Sequence, residues 1–175
     1  MKIVVVYESM FGNTKTVAEA IAEGLADAGE VKVGTVDELS PDVARDAGLI
    51  VVGGPTHAHG MAKPNAHESL ASDESYQQYG QVLPGEESLR GWLERLPEGH
   101  ATAAAFDTRY QKPMFLTGSA AKQIGIILKG KGHSLVEARS FFVAGVGGPL
   151  ADGERERALA WGRQLAAQGS ATVAA

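Results

Sequence analysis

Short unbroken apolar runs alternate along this chain with longer stretches whose apolar residues recur every three or four positions. Ile3–Val6 has no polar break and predicts a strand buried on both faces. Thr16–Ala28 carries apolar residues at 17, 18, 21, 22 and 25, one face of a helix, and Gly29 follows as a stop. Val31–Val36 predicts a second strand. Asp37–Gly48 predicts a short helix or turn around Ser40-Pro41. Leu49–Val52 predicts a third buried strand running into Gly53-Gly54-Pro55-Thr56. Further on, Leu89, Trp92, Leu93 and Leu96 mark an amphipathic helix over Glu86–Leu96, and alanine-rich Ala101–Phe106 predicts a fourth strand. Ala120, Ile124, Ile127 and Leu128 put a helix over Ser119–Lys131, with Lys129 and Lys131 suiting its C-terminal dipole. Phe141–Ala144 anchors a fifth strand. A last helix runs from a cap at Asp152 through Gln168, with Trp161 and Leu165 facing inward. Between His57 and about Gly85 no period is visible. A loop of that length inside a compact domain is more often functional or mobile than merely connective.

Strands without polar faces, each followed by a helix, require a parallel sheet covered on both sides. Right-handed crossovers then predict an α/β, doubly wound, five-stranded parallel sheet of order 2-1-3-4-5, a three-layer sandwich. Residues 1–168 read as a single domain with an insertion at about 60–85, and residues 169–175 as a frayed tail. In such a sheet ligands bind outside the carboxyl ends of the strands, where strands 1 and 3 diverge. The loops reaching that point are Glu8–Thr14, Gly54–Met61 and Asp107–Thr117.

Composition narrows the chemistry. The 175 residues include no cysteine, which excludes disulfides, thiolate catalysis and cysteine-ligated clusters. With 44% hydrophobic and 21% charged residues, the chain reads as an ordinary globular protein. No segment reaches the ~20 apolar residues needed to span a membrane, and the first apolar run is too short for a secretory signal. The expectation is a cytoplasmic protein without membrane insertion. A net charge of −5 argues against nucleic acid as partner and suits partners with basic docking faces.

The loop Glu8-Ser9-Met10-Phe11-Gly12-Asn13-Thr14 brings small polar residues around one glycine where a helix begins. Unpaired N–H groups and the helix dipole meet there, so the loop either caps the helix or holds an anion such as a phosphate. It lacks the G-x-x-x-x-G-K-[ST] pattern of a nucleoside-triphosphate loop, and Gly145-Val146-Gly147-Gly148 lacks the spacing of a dinucleotide fingerprint. His57 and His59 form an H-x-H pair. No carboxylate or third histidine stands at ligand spacing, although His67 is near, so no metal is expected. Ser9 has no histidine partner in sequence reach, which argues against nucleophilic hydrolysis.

Val5-Val6-Tyr7-Glu8-Ser9-Met10-Phe11-Gly12-Asn13-Thr14, with Ala18 and Ile21 beyond, resembles the N-terminal signature of the flavodoxins, and the five βα units resemble their fold over nearly the whole chain. The resemblance implies non-covalent FMN as cofactor. Ser9, Gly12, Asn13 and Thr14 then match the phosphate-binding positions, with Met10 and Phe11 supplying backbone N–H groups. Phe11 departs from the family, which often has a hydroxyl residue there. The ring would lie between Pro55, Thr56, His57, His59 and Gly60 after strand 3 and Phe106, Asp107, Thr108, Arg109 and Tyr110 after strand 4. Tyr110 is the best stacking aromatic, and Tyr76 and Tyr79 of the insertion are lid candidates. Gly60 is either a turn glycine or a hinge for a peptide facing the ring. Arg109 is either a surface ion-pair residue or a cation near the flavin, which would make the second reduction potential less negative than an acidic pocket would. The implied function is one-electron shuttling, with no catalytic residue, between a flavin reductase and electron-accepting redox proteins. Two alternatives stand beside it: an FMN-dependent NAD(P)H:quinone oxidoreductase on the same fold, and a non-catalytic module that has lost the flavin.

Overall fold

The structure, a computed structural model, describes residues 1–57, 60–83 and 85–173, without the side chains of Gln77 and of residues 169–173. The chain begins with β1 (Lys2–Tyr7), α1 (Asn13–Leu25) and β2 (Glu30–Thr35), and continues into β3 (Leu49–His57) and a two-residue β4 (Gly60–Met61). Then come α2 (Ala66–Ser72), α3 (Glu74–Gln77), α4 (Leu89–Arg95), β5 (Thr102–Tyr110), α5 (Met114–Thr117), α6 (Ala120–Gly130), β6 (Ser134–Val143) and α7 (Glu154–Val173). The strands form a sheet of order β2-β1-β3-β5-β6, parallel throughout, with β4 folded back antiparallel on the end of β3. This is the doubly wound α/β order expected from the sequence, with the fourth and fifth long strands being β5 and β6.

Alternation along the strands makes two cores. Ile3, Val5, Leu49, Val51, Ala104 and Phe106 face α1 and α7 on one side. Val4, Val6, Ile50, Val52, Ala103 and Ala105 face α4 and α6 on the other. Each layer buries one tryptophan, Trp161 in the first and Trp92 in the second. Their indole N–H groups are satisfied by Glu137 Oε2 at 2.6 Å and the Leu39 carbonyl at 2.5 Å. Helices α1 and α7 approach through glycine. A Cβ on Gly24 would stand 2.3 Å from the Leu159 carbonyl oxygen, and one on Gly162 would stand 2.3 Å from that of Ile21.

Some elements differ from the pattern. β6 is ten residues long rather than a stub at 141–144, because this edge strand has a half-exposed face carrying Glu137 and Arg139 in place of an apolar run. β3 continues through its glycines and proline to His57. The insertion contains α2 and α3, too short to show a period. The last helix starts after Gly153, whose carbonyl accepts the Arg157 N–H at 2.9 Å, and runs past Gln168 to Val173.

Candidate cofactor-binding site

The first loop is built around Gly12, which precedes α1 with φ 93° and ψ −17°, a left-handed conformation that strains any side-chain-bearing residue. Nothing lies within 4 Å of where a Cβ would stand. Ser9 Oγ accepts the N–H groups of Gly12 at 3.1 Å and Lys15 at 3.3 Å, and so ties the turn and caps one helix donor. The N–H groups of Met10, Phe11, Asn13 and Thr14 have no acceptor among the described residues. Unpaired donors at a helix N-terminus, reinforced by the helix dipole, favour an anion placed there. One hydroxyl of the loop thus caps, and a set of amides is left without an acceptor among the described residues.

Beside this loop opens a cleft of about 670 Å³, in the range of small-molecule sites. Met10, Phe11, Asn13 and Thr14 form its floor, Pro55, Thr56 and His57 one wall, and Thr108, Arg109 and Tyr110 another. Three loops that are distant in sequence meet because β1, β3 and β5 are adjacent in the sheet and end on the same side. Thr14 and Thr108 join hydroxyls at 2.8 Å across the cleft floor. The Asn13 amide donates to the Gly148 carbonyl at 2.5 Å.

Other expected positions lie elsewhere. Phe106 is fully buried in the core facing α1 and α7 and packs over Gly53, where its ring fills the space of a side chain. Its neighbour Asp107 is also fully buried, pointing to the opposite face, as strand alternation requires. One Asp107 oxygen, Oδ2, accepts from Thr56 Oγ1 at 2.9 Å, Ser119 Oγ at 2.6 Å and the Ala121 N–H at 2.9 Å. It thus fixes Thr56 and the start of α6 from behind the cleft. Ser9 and Gly12 support the floor rather than line it. Gly60 sits in the β3–β4 hairpin against Gln123, whose side-chain oxygen accepts the Met61 N–H at 2.9 Å. His59 lies outside the described residues.

Tyr76, a lid candidate from the sequence, lines the cleft together with Leu70 of the insertion, which the sequence did not single out, and Gly145, Val146 and Gly147 close another side. The glycine run lacks the dinucleotide fingerprint, and its position after the carboxyl end of the last strand is the sequence signal for its place at the cleft. Leu116 and Thr117 of α5 reach the rim, next to Phe115, which is 82% exposed.

Arg109 is buried and holds its loop together. Its Nε donates to Ser140 Oγ at 2.9 Å. Its Nη1 donates to the Tyr110 and Lys112 carbonyls and to Thr117 Oγ1, and the guanidinium lies 5.1 Å from the Phe142 ring centre. Burial raises the Tyr110 phenol above its ordinary pKa. Among the described residues no group of three or more histidines and carboxylates is placed to hold a metal ion, and no helix is long and apolar enough to cross a membrane.

A doubly wound parallel sheet with an amide-lined loop and a largely apolar cleft at the carboxyl ends of its strands defines the class, an open α/β protein with a small-molecule site at its switch point. The flavodoxin family model matches residues 5–161, and the chain belongs to the flavodoxin family of flavin-binding redox proteins. Solved structures agree in fold. A flavodoxin from the domain Archaea is 21% identical, with 97% of this chain and 99% of that one covered and a TM-score of 0.67. Flavodoxin 2 from Bacillus cereus is 19% identical over 96% of this chain and 99% of its own, with a TM-score of 0.66. The rubredoxin oxygen:oxidoreductase of Desulfovibrio gigas is 23% identical over 99% of this chain but only 37% of its own, with a TM-score of 0.62.

Proposed function

We propose that this chain binds FMN non-covalently and carries single electrons between redox proteins. The observation that carries the reading is the row of unpaired amides at Met10, Phe11, Asn13 and Thr14 around an open, left-handed Gly12, next to a cleft with aromatic walls. The residues fit the group: amides and a helix N-terminus suit a phosphate monoester, and Phe11, Tyr76 and Tyr110 suit a flat conjugated ring. FMN, when bound, supplies the redox chemistry, and the protein supplies binding, orientation and electrostatics. Thr56, held by Asp107, and Thr108, held by Thr14, keep the walls in place. The loop Gly145–Gly147 and the side chains of Leu70 and Tyr76 complete the lining of the cleft. A net charge of −5 fits reductases and acceptors with basic docking faces, and a cytoplasmic setting belongs to this reading.

Absorption spectra of purified protein, with and without added FMN, test the proposal. It requires a yellow complex with a perturbed flavin spectrum. A colourless protein that leaves the spectrum of added FMN unchanged would support the flavin-free module instead. The exposed Phe115 and Leu116 at the rim favour one second reading, in which an apolar acceptor such as a quinone is reduced there at the expense of NAD(P)H. Steady NAD(P)H oxidation by purified protein and a quinone would select it. Reduction only through a separate reductase would select the carrier.

A further inference from the structure

His67 belongs to no motif, yet its ring is almost fully enclosed, 9% exposed, in the insertion. Both ring nitrogens face acceptors. Nδ1 lies 2.9 Å from the Leu83 carbonyl oxygen, and Nε2 lies 3.5 Å from Glu8 Oε1. A neutral imidazole has one N–H and one lone pair, so it can serve only one of these oxygens. The doubly protonated ring presents an N–H to each. Glu8 is 3% exposed, its Oε1 accepts no hydrogen bond among the described residues, and the His67 ring at 3.5 Å is the basic group that faces it.

The pair closes a circuit onto the first loop. Glu8 precedes Ser9, while the Leu83 N–H donates to the Met10 carbonyl at 2.8 Å. The insertion is thus held at Glu8 and at Met10, on either side of Ser9, and His67 bridges the two ties. Apolar packing reinforces them. Met10 shares a cluster with Ala62, Ala66 and Leu70, and Phe11, Tyr76 and Val82 pack against it. This gives Phe11 a role: where the family often has a hydroxyl, this chain has a ring that anchors the insertion.

We propose that protonated His67 is a positioning residue that clasps the insertion to the first loop, holding both the free amides and the Leu70–Tyr76 wall in place for the flavin phosphate. The proposal rests on the FMN reading for its consequence, but the clasp itself does not need the cofactor. The charged groups facing His67 are Glu8 from the first loop and Asp37 from the segment after β2. Both favour the imidazolium, and the Glu8 contact leads among the causes that raise its pKa above the ordinary value. Gly85 leaves room for the ring, since a Cβ there would come within 2.9 Å of it. A raised folded-state pKa means that the clasp is complete below the unfolded value near ~6.5 and opens as pH rises through the folded value.

The test follows the His67 ring by NMR through a pH titration of the flavin-free protein, together with hydrogen exchange at the Leu83 amide. His67 should titrate above ~6.5. Glu8→Gln should lower that value, and Leu83 protection should fall across the same pH interval. FMN titrations of wild type and His67→Gln then read the consequence. The variant should bind roughly tenfold more weakly at pH 6 and lose the pH step seen in wild type. The ionisation of the FMN phosphate is common to both proteins and cancels. A His67 that titrates at or below ~6.5 in wild type, unmoved by Glu8→Gln, overturns the clasp whether or not FMN binds. A protein that shows the titration and the protection step but takes up no FMN supports the clasp and overturns the flavin reading.

Discussion

The hydroxyls of Thr14 and Thr108 meet at 2.8 Å, buried, and join the first turn of α1 to the end of β5 across 94 positions of sequence. This contact closes the floor of the cleft, and each hydroxyl depends on the other. Thr108→Val strands the Thr14 hydroxyl, and Thr14→Val strands that of Thr108, at a cost of about 1–2 kcal/mol each. The double variant should cost less than the sum of the two. Urea unfolding of the four proteins checks this through the coupling term, which should be well separated from zero.

The α1–α7 contact has no room for a methyl group. The atoms facing Gly24 and Gly162 are backbone carbonyl oxygens, which cannot swing away as a side chain can. Gly24→Ala and Gly162→Ala should each destabilise the protein by about 1–3 kcal/mol, despite alanine's better helix propensity. Thermal melts of the variants measure it. A rise in melting temperature would show that the helices part at no cost.

His133 acts in the opposite sense to His67. It is buried, its Nδ1 has no partner among the described residues, and Nε2 reaches only the Pro97 carbonyl at 3.3 Å. Burial holds its pKa below the ordinary value. The unfolded chain therefore takes up the proton first, and stability falls as pH drops from ~6.5 toward the folded value. His133→Gln should flatten that acid loss. Urea midpoints at pH 7.5 and pH 5 should differ less in the variant than in wild type.

Asp107 supports the cleft without lining it. Removing its carboxylate with Asp107→Ala leaves Thr56 Oγ1, Ser119 Oγ and the Ala121 N–H without their acceptor and should cost about 3 kcal/mol. Because Thr56 faces the cleft, FMN affinity should fall as well. Equilibrium unfolding and FMN titration of one variant read both effects.

Arg109 lines the cleft while most of its hydrogen bonds hold the 110–117 loop. If the guanidinium also favours an anionic reduced flavin, Arg109→Ala should make the second reduction potential more negative. A redox titration in which that potential does not move would leave the residue with its structural role alone.

The sheet order, the first loop and the two core faces were legible because β1, β3 and β5 are buried strands whose apolar runs are unbroken and whose loops carry the polar residues. β6 was legible only at Phe141, since Glu137 and Arg139 spend its inner face on Trp161 rather than on an aliphatic core. The cleft was legible as three loops, because topology alone brings the ends of β1, β3 and β5 together. Of the five residues read at the end of β5, Thr108, Arg109 and Tyr110 reach the cleft, whereas Phe106 and Asp107 lie deeper along the same strand, where alternation sends one side chain to each core. Tyr76 was legible as a lid candidate, whereas the contribution of Leu70 and the Gly145–Gly147 loop was not readable, because the insertion is held by His67, Leu83 and a small apolar cluster that leave no periodic mark.

The proposed phosphate-binding role of the first loop is tested most directly by comparing FMN with riboflavin, which differ only in the phosphate. Quenching of flavin fluorescence on titration with purified protein gives both dissociation constants. Free amides at Met10, Phe11, Asn13 and Thr14 require FMN to bind at least about a hundredfold more tightly than riboflavin. Equal affinities, or no quenching by either ligand, would contradict the account.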